Sequence, residues 1–286
     1  MNAELQAKHE RLRADIRAYG RVLVAFSGGV DSSLVAYVAA ETLGANALAV
    51  TSGSLSLKRS DLKLATELAE RWGMQHRVIV TDELTKADYR ANPVNRCFHC
   101  KTSLYESLER IAADEGFDHV LNGTNTDDLG DHRPGLIAAK NYQVVSPLVD
   151  AGFAKADIRA LATHLGLENA DKPQAACLSS RFPYGSHITE ERLAQVEAAE
   201  DALAELGFVQ YRVRHHEEVA RVELPVEDLP RAIELHSEVE TAIKAAGYRY
   251  VALDLGGFRS GSLNEGLAKR ATARLIDAVQ IHDPAP

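Results

Sequence analysis

No stretch of the chain approaches the run of about 18 apolar residues that a membrane-spanning helix needs. Its opening, MNAELQAKHERLRADIRAYG, is charged throughout and has none of the apolar core of a secretory leader. Cysteine is scarce: three in 286 residues do not make a disulfide framework. Positive charge is short as well. With 32 Lys and Arg against 41 Asp and Glu, the net charge of −9 has the wrong sign for a surface that coats nucleic acid, although a local basic patch would still hold a phosphate. Internal repeats and low-complexity tracts are absent, and no G-K-[ST] or G-x-G-x-x-G phosphate turn is present. These absences leave a cytoplasmic globular chain, 45% hydrophobic, long enough for one large or two ordinary domains.

What the first 170 or so residues do contain is alternation. Short β-branched runs at 21–26, 46–52, 76–81, 119–124 and 142–149 are each followed by a helical pattern, such as SDLKLATELAERW at 60–72. Continuous apolar strands between amphipathic helices predict an α/β fold, a doubly wound parallel sheet covered on both faces. Ligands of such sheets gather at the carboxyl ends of the strands, which here read SGG, TSGS and NGTNTDD. Past Cys177 the pattern changes to a loop at 180–189, a helix at 189–207, strands YRVRHH and VARVEL, a helix over about 227–246 and a strand at 249–255. A first domain at 1–180 and a smaller α+β domain at 181–286, with a split βαβ order, are expected.

The segment VLVAFSGGVDSSLVAYVAA (22–40) carries the sharpest signal. A helix N-terminus offers unpartnered N–H groups and a positive dipole end, and Gly28 and Gly29 let the backbone approach an anion there. Ser27, Ser32 and Ser33 add hydroxyls. Asp31 would repel phosphate unless a divalent cation bridges the two, so it implies Mg²⁺. A strand–turn–helix junction with a capping side chain is the plainer reading of a glycine pair; the full SGGVDSS favours phosphate. In GTNTDDLGDHRPG (123–135), Gly123 and Thr124 start a second polar loop, Asp127 and Asp128 suit Mg²⁺, and Asp131 and Arg133 could orient a substrate. Alone, that loop reads as Asx-turns.

The cysteines form CFHC (Cys97, Cys100) plus the distant Cys177. Zinc, with His99 or a remote histidine as fourth ligand, an iron–sulfur anchor, and three unrelated small hydrophobes all fit the spacing. A thioredoxin-type redox pair fits less well, because CFHC does not follow the first strand of such a unit. Arg212 and Arg214 stand two apart on a strand, hence on one face, where two guanidiniums suit a shared phosphate or form a solvated basic stripe. His215 and His216 read as packing or surface residues, Lys101 as a solvated helix lysine or a countercharge near nucleotide, and Trp72 as core.

SGGVDSS resembles the pyrophosphate loop of the ATP pyrophosphatase superfamily, whose adenine nucleotide alpha hydrolase-like fold and cleavage of ATP between its α and β phosphates it then implies. SGGVDSS, NRCFHCK, GTNTDDLGDHRPG, ACLSSRFPYG, YRVRHH and GFRSGSLN also occur in the order seen in LarE-type ATP-dependent sulfurtransferases. These act on pyridinium-3,5-biscarboxylic acid mononucleotide in making the nickel-pincer nucleotide cofactor of lactate racemase. The resemblance covers about residues 20–265, and ACLSSRFPYG and VRHH are its more discriminating parts.

It implies that the position of Cys177 supplies sulfur, and that Cys97, Cys100 and Cys177 together hold a 4Fe-4S cluster whose open iron carries a replaceable sulfide. It implies substrate phosphate at Arg212 and Arg214 and substrate contacts for Arg181, Glu200 and Arg259, beside the Mg²⁺ at Asp31 and Asp128 and the substrate contact at Arg133 that the residue types suggest. ATP, a mononucleotide substrate and sulfide or a sulfur donor are the implied small molecules. The implied assembly is a homo-oligomer built from trimers, up to a hexamer, without nucleic acid or membrane. Two rivals remain at this level: a tRNA thiolase, which would need an RNA-binding module and salt-sensitive RNA binding, and a nucleotide or iron–sulfur sensor, which would release no pyrophosphate.

Overall fold

Residues 22–25 and 47–52 are strands whose successive side chains enter two different cores. Val22, Val24, Ala47 and Ala49 join one cluster, Leu23, Leu48 and Val50 the other. A strand apolar at every position can satisfy that demand only in a sheet covered on both faces. The computed structural model describes residues 1–130, 134–173 and 176–259. Its elements begin with α1 (Ala3–Ala18), β1 (Val22–Ala25), α2 (Val30–Leu43), β2 (Ala47–Ser52), α3 (Arg59–Arg71) and β3 (His76–Ile79). There follow α4 (Ala87–Arg90), α5 (Arg96–Glu115), β4 (His119–Leu121), α6 (Pro134–Asn141), α7 (Pro147–Asp150) and α8 (Lys155–His164). The chain continues with α9 (Glu190–Glu205), β5 (Arg212–His216), β6 (Val219–Glu223), α10 (Leu229–Glu234), α11 (His236–Ala245) and β7 (Tyr250–Leu253).

These elements make two compact units. The first comprises Met1–Asp82 and Cys97–Ala175; the second comprises Glu83–Arg96 and the chain from Ala176 onward.

In the first unit the strands run parallel in the order β3-β2-β1-β4. The crossovers through α2 and α3 bury Leu34, Val35, Ala65 and Leu68 in the core that also holds residues of α1 and α8. Residues of α5 and α6, among them Tyr105, Leu108 and Ala138, fill the other core. The α/β fold expected from alternation is therefore present, and its winding reverses at β1. The predicted fifth strand, 142–149, is not formed: it contributes one parallel bridge, Leu121 to Val145, and then turns into α7. Pro147 explains the stop, having no N–H for a ladder and a φ suited to a helix's first turn.

The second unit carries a three-stranded sheet, β5-β6-β7, antiparallel between β5 and β6 and parallel between β6 and β7. Val213, Ala220 and Val222 meet Ala199 and Leu203 of α9 and Val239 and Ile243 of α11 in its core. The helix expected over 227–246 is interrupted at Leu235 between α10 and α11. Among the described residues no helix is long and apolar enough to cross a membrane.

One close approach in the first unit fixes a residue type. A Cβ on Gly123, just past β4, would stand 2.6 Å from Ser32 N and 2.9 Å from the Asp31 carbonyl carbon. The obstacle is backbone at the start of α2 and cannot swing away. Gly123→Ala is accordingly expected to destabilise the fold by about 1–3 kcal/mol, the usual cost of overpacking, read as a lowered urea midpoint.

Candidate functional site

The reversal of winding at β1 opens a crevice between the ends of β1 and β4, where open α/β sheets take their ligands. Directly behind β1 the chain turns through Ser27-Gly28-Gly29 into α2. Gly28 is buried and has φ +69°, the left-handed region glycine enters without strain. A Cβ there would also approach Ala65 Cβ to 3.1 Å. Gly29 is the N-cap, in extended conformation and without a capping side chain, so the first-turn N–H groups of α2 are left to an external acceptor.

The serines brace this turn. Ser32 Oγ donates to Gly29 O at 3.0 Å and accepts from Ser27 N–H at 3.1 Å, with Ser27 Oγ a further 3.1 Å contact. Ser33 Oγ, fully buried, accepts from Asn169 Nδ2 at 2.7 Å, and the second proton of that amide goes to Gly28 O at 2.9 Å. Ser27 is exposed, but the hydroxyls of Ser32 and Ser33 are committed to holding the turn. The anion-facing donors are left to the backbone.

Asp31 lies in the first turn of α2, half-buried, and both of its oxygens accept from Lys155 Nζ, at 2.7 and 2.6 Å. Lys155 is the first residue of α8, and its backbone N–H donates to Asp127 Oδ2 at 2.8 Å. Asp128 Oδ2 accepts from Asn125 N–H at 3.1 Å, Asp127 N–H donates to Asn125 Oδ1 at 3.0 Å, and Thr124 N–H donates to Asn122 Oδ1 at 3.0 Å. The predicted residues Asp31, Gly123, Thr124, Asp127 and Asp128 thus share one unit and one sheet end, while the Asx-type contacts expected of a polar loop account for much of the second segment. Asp31 and Asp128 have the chemistry for Mg²⁺, which takes one or two carboxylates and completes its shell with phosphate and water. Asp131 and Arg133 lie outside the described residues.

Sequence reasoning missed Lys155 and Asn169. A lysine at the first position of a helix was a usable signal, because it opposes the dipole and needs a carboxylate nearby. Asn169 gave none.

In the second unit, the short turn that follows Cys177, Leu178–Arg181, is held by buried charge. Arg181 pairs with Glu200 through two bonds, Nε–Oε1 at 2.7 Å and Nη2–Oε2 at 3.1 Å. Its Nη1 donates to the carbonyls of Ala176 (2.7 Å) and Cys177 (3.1 Å). Arg214 donates to Ser180 O at 2.7 Å and to Glu223 Oε2 at 2.9 Å. From the 83–96 segment, Tyr89 Oη meets Ser179 Oγ at 2.6 Å and Arg96 Nη1 donates to Ser179 O at 2.8 Å. Arg181, Glu200 and Arg214, expected to touch substrate, are therefore engaged in shaping the backbone around Cys177. Arg259, exposed, donates to Gly256 O at 2.7 Å.

Arg212 differs. Its guanidinium stacks on Phe258, 4.4 Å from the ring centre, and it has no carboxylate in ion-pair reach among the described residues. Burial lowers its pKa from the ordinary value, and repulsion from Arg181 and Arg214 adds to that, so bound negative charge would relieve it. His215, buried, packs on Phe182 and meets Tyr248 Oη at 3.0 Å, in keeping with the packing role expected of it.

No disulfide joins the three cysteines: Cys97 is exposed on the first turn of α5, Cys100 lies one turn on, and Cys177 is partly exposed. Among the described residues, no three of His, Cys, Asp or Glu are grouped to hold a metal ion. The three-thiolate set expected from the sequence draws on both units, Cys97 and Cys100 from the first and Cys177 from the second.

The asparagine synthase family model matches residues 6–124, the span that contains β1, the glycine turn and β4. The chain is 40% identical over 272 residues to the pyridinium-3,5-bisthiocarboxylic acid mononucleotide synthase of Lactiplantibacillus plantarum, covering 95% of this chain and 99% of that protein. It belongs to that family. The LarE-type resemblance of its motifs is borne out, and the chain is an enzyme of the sulfurtransferase class. An uncharacterized protein of Synechocystis sp. is 43% identical over 93% of this chain and all of its own length. A tRNA-specific 2-thiouridylase of Rickettsia bellii is 27% identical over 54% of this chain and 52% of its own.

Two outcomes follow from the second unit. Glu200→Ala strands the Arg181 guanidinium in the interior and is expected to cost about 3–5 kcal/mol, whereas Arg212→Ala shifts stability by less than about 1 kcal/mol; chemical denaturation separates them. Burial, with Arg192 assisting against Glu217, lowers the pKa of His215, so the unfolded chain binds the proton more readily. Stability from this residue is full above the ordinary histidine value of about 6.5 and declines as pH falls below it. The drop in melting temperature between about pH 7 and 5 should be shallower in His215→Gln.

Proposed function

We propose that the protein converts the carboxylates of pyridinium-3,5-biscarboxylic acid mononucleotide to thiocarboxylates at the expense of ATP. The observation that carries this reading is the glycine turn: a helix N-terminus without a side-chain cap, at the winding reversal of the sheet, in a chain of this synthase family. A carboxylate is a poor acceptor for sulfur, and adenylation gives it a leaving group. A carboxylate oxygen attacks the α-phosphorus, the bond from that phosphorus to the bridging oxygen breaks, and pyrophosphate departs toward the N–H groups of Gly29 and the first turn of α2. A sulfur nucleophile then attacks the acyl carbon and AMP leaves with the carboxyl oxygen that formed the new bond.

Asp31 and Asp128 would hold Mg²⁺, which when bound offsets phosphate charge. Lys155 keeps Asp31 neutralised until then. Arg212 receives the substrate phosphate, supported by its position stacked on Phe258 with no carboxylate in ion-pair reach among the described residues. Arg181, Arg214 and Glu200 set the approach to Cys177, and Arg259, exposed, is assigned to the substrate by resemblance and Arg133 by its residue type.

Cys177 is assigned to sulfur delivery, and Cys97, Cys100 and Cys177 to a 4Fe-4S cluster. Three thiolates would leave one iron free to carry an extra sulfide. The ligands come from both units, and the assignment concerns the iron-loaded protein. The first unit serves ATP, and the second, with Glu83–Arg96 and the chain from Ala176 onward, serves the substrate. The setting is the cytoplasm, and the assembly a homo-oligomer built on trimers, with no nucleic acid, in keeping with the net charge of −9.

Pyrophosphate release should depend on the pyridinium dicarboxylate mononucleotide and fall by about 100-fold in Asp31→Asn, the scale of losing one electrostatic group at a reacting centre. Release without that substrate, or none with it, contradicts the reading. Protein purified without oxygen should hold about four iron and four acid-labile sulfide per chain, lost in Cys97→Ala. A single turnover that leaves Cys177 as dehydroalanine would replace the cluster with sacrifice of that residue.

A further inference from the structure

We propose that Asn169 is a positioning residue for phosphate binding: it turns the Gly28–Gly29 peptide so that the Gly29 N–H faces the ligand. Asn169 lies beyond the C-terminal end of α8 and is 5% exposed. Its amide spends both protons on the glycine turn, donating to Gly28 O at 2.9 Å and to Ser33 Oγ at 2.7 Å. Its own Oδ1 is buried and has no hydrogen-bond partner among the described residues. The orientation is dictated by Gly28, because the reversed amide would set oxygen against oxygen.

A side chain that serves packing alone has no reason to leave a polar atom unsatisfied in the interior. The effect on the turn is specific. In a trans peptide the C=O and the following N–H point in opposite directions. Pulling the Gly28 carbonyl toward the buried Asn169 therefore sends the Gly29 N–H the other way, where its contact is a long 3.4 Å approach to the hydroxyl of the exposed Ser27, which an anion would replace. Gly28 holds φ +69° and is buried, while Gly29 is partly exposed. Ser33, one turn into α2, is the second anchor, so the amide ties the turn to the helix whose dipole faces the same ligand. Neither the Asp31–Lys155 pair nor the serine braces hold the Gly28 carbonyl.

This inference rests on the pyrophosphate-loop reading of the turn. The test compares wild type, Asn169→Asp and Asn169→Ala in the full chain. Calorimetry measures binding of ATP·Mg²⁺ and of inorganic pyrophosphate, and amide exchange without nucleotide follows peptides spanning 26–33. Aspartate keeps the shape, loses both donors and sets negative charge behind the anion. The expected result is that Asn169→Asp weakens both ligands by more than about 30-fold and Asn169→Ala by about tenfold. Exchange in 26–33 should rise by about tenfold in both, with little change elsewhere.

A packing role predicts instead that exchange rises no more in 26–33 than elsewhere and that Asn169→Ala binds both ligands as wild type does; either result overturns the proposal. If wild type binds neither ATP nor pyrophosphate, the nucleotide reading fails and the proposed role for Asn169 falls with it, whatever exchange shows of the turn. Should Asn169→Asp not fold, Asn169→Ser, which retains one donor, is expected between wild type and alanine in exchange, and equality with wild type overturns the proposal.

Discussion

A helix that starts immediately behind a buried parallel strand leaves its first N–H groups without carbonyl partners, and the rest of the first unit is arranged around that fact. The strand is central, with β2 on one side and β4 on the other. Its end is therefore where the winding reverses and the helices on the two faces part. Gly123 lets β4 end against the backbone of Asp31 and Ser32, and Gly28 lets the turn lie against Ala65. Side chains that would otherwise cap the helix are turned inward: Ser32 to Gly29, Asn169 to Gly28 and Ser33. Lys155 neutralises Asp31, a carboxylate in the first turn of α2 that would otherwise repel an anion.

The second unit solves a different problem with buried charge. Removing arginine and glutamate from water is costly unless each finds a hydrogen-bonded partner. Arg181 and Glu200, and Arg214 and Glu223, meet that condition, and the two arginines at the same time donate to backbone carbonyls on either side of Leu178. Rigidity is concentrated where Cys177 enters its turn. Arg212, placed on the same strand face as Arg214 but stacked on Phe258 in place of a carboxylate, is the cation left available to a ligand among these arginines.

Much of this was legible in the sequence for local reasons. Continuous apolar strands, a glycine pair before a helix and polar strand ends are patterns within a few residues of one another, and the parallel sheet and its glycine turn follow from them. The strand expected at 142–149 failed because Pro147 outweighed the β-branched residues before it. The roles of Arg181, Glu200 and Arg214 were harder to read, since the same residue types serve a substrate or a buried ion pair and only distance separates the two. Lys155 and Asn169 reach Asp31 and Gly28 across more than a hundred residues, and no spacing rule connects such positions. Three cysteines gave chemistry without geometry, which is why the cluster stands as a proposal.

The central claim is that ATP activates a substrate carboxylate by attack at the α-phosphorus. Turnover with substrate whose carboxylates carry ¹⁸O tests it most directly. The account predicts one labelled oxygen in AMP for each thiocarboxylate formed, with unlabelled pyrophosphate. Unlabelled AMP alongside thiocarboxylate, or ADP and labelled inorganic phosphate as products, would contradict it.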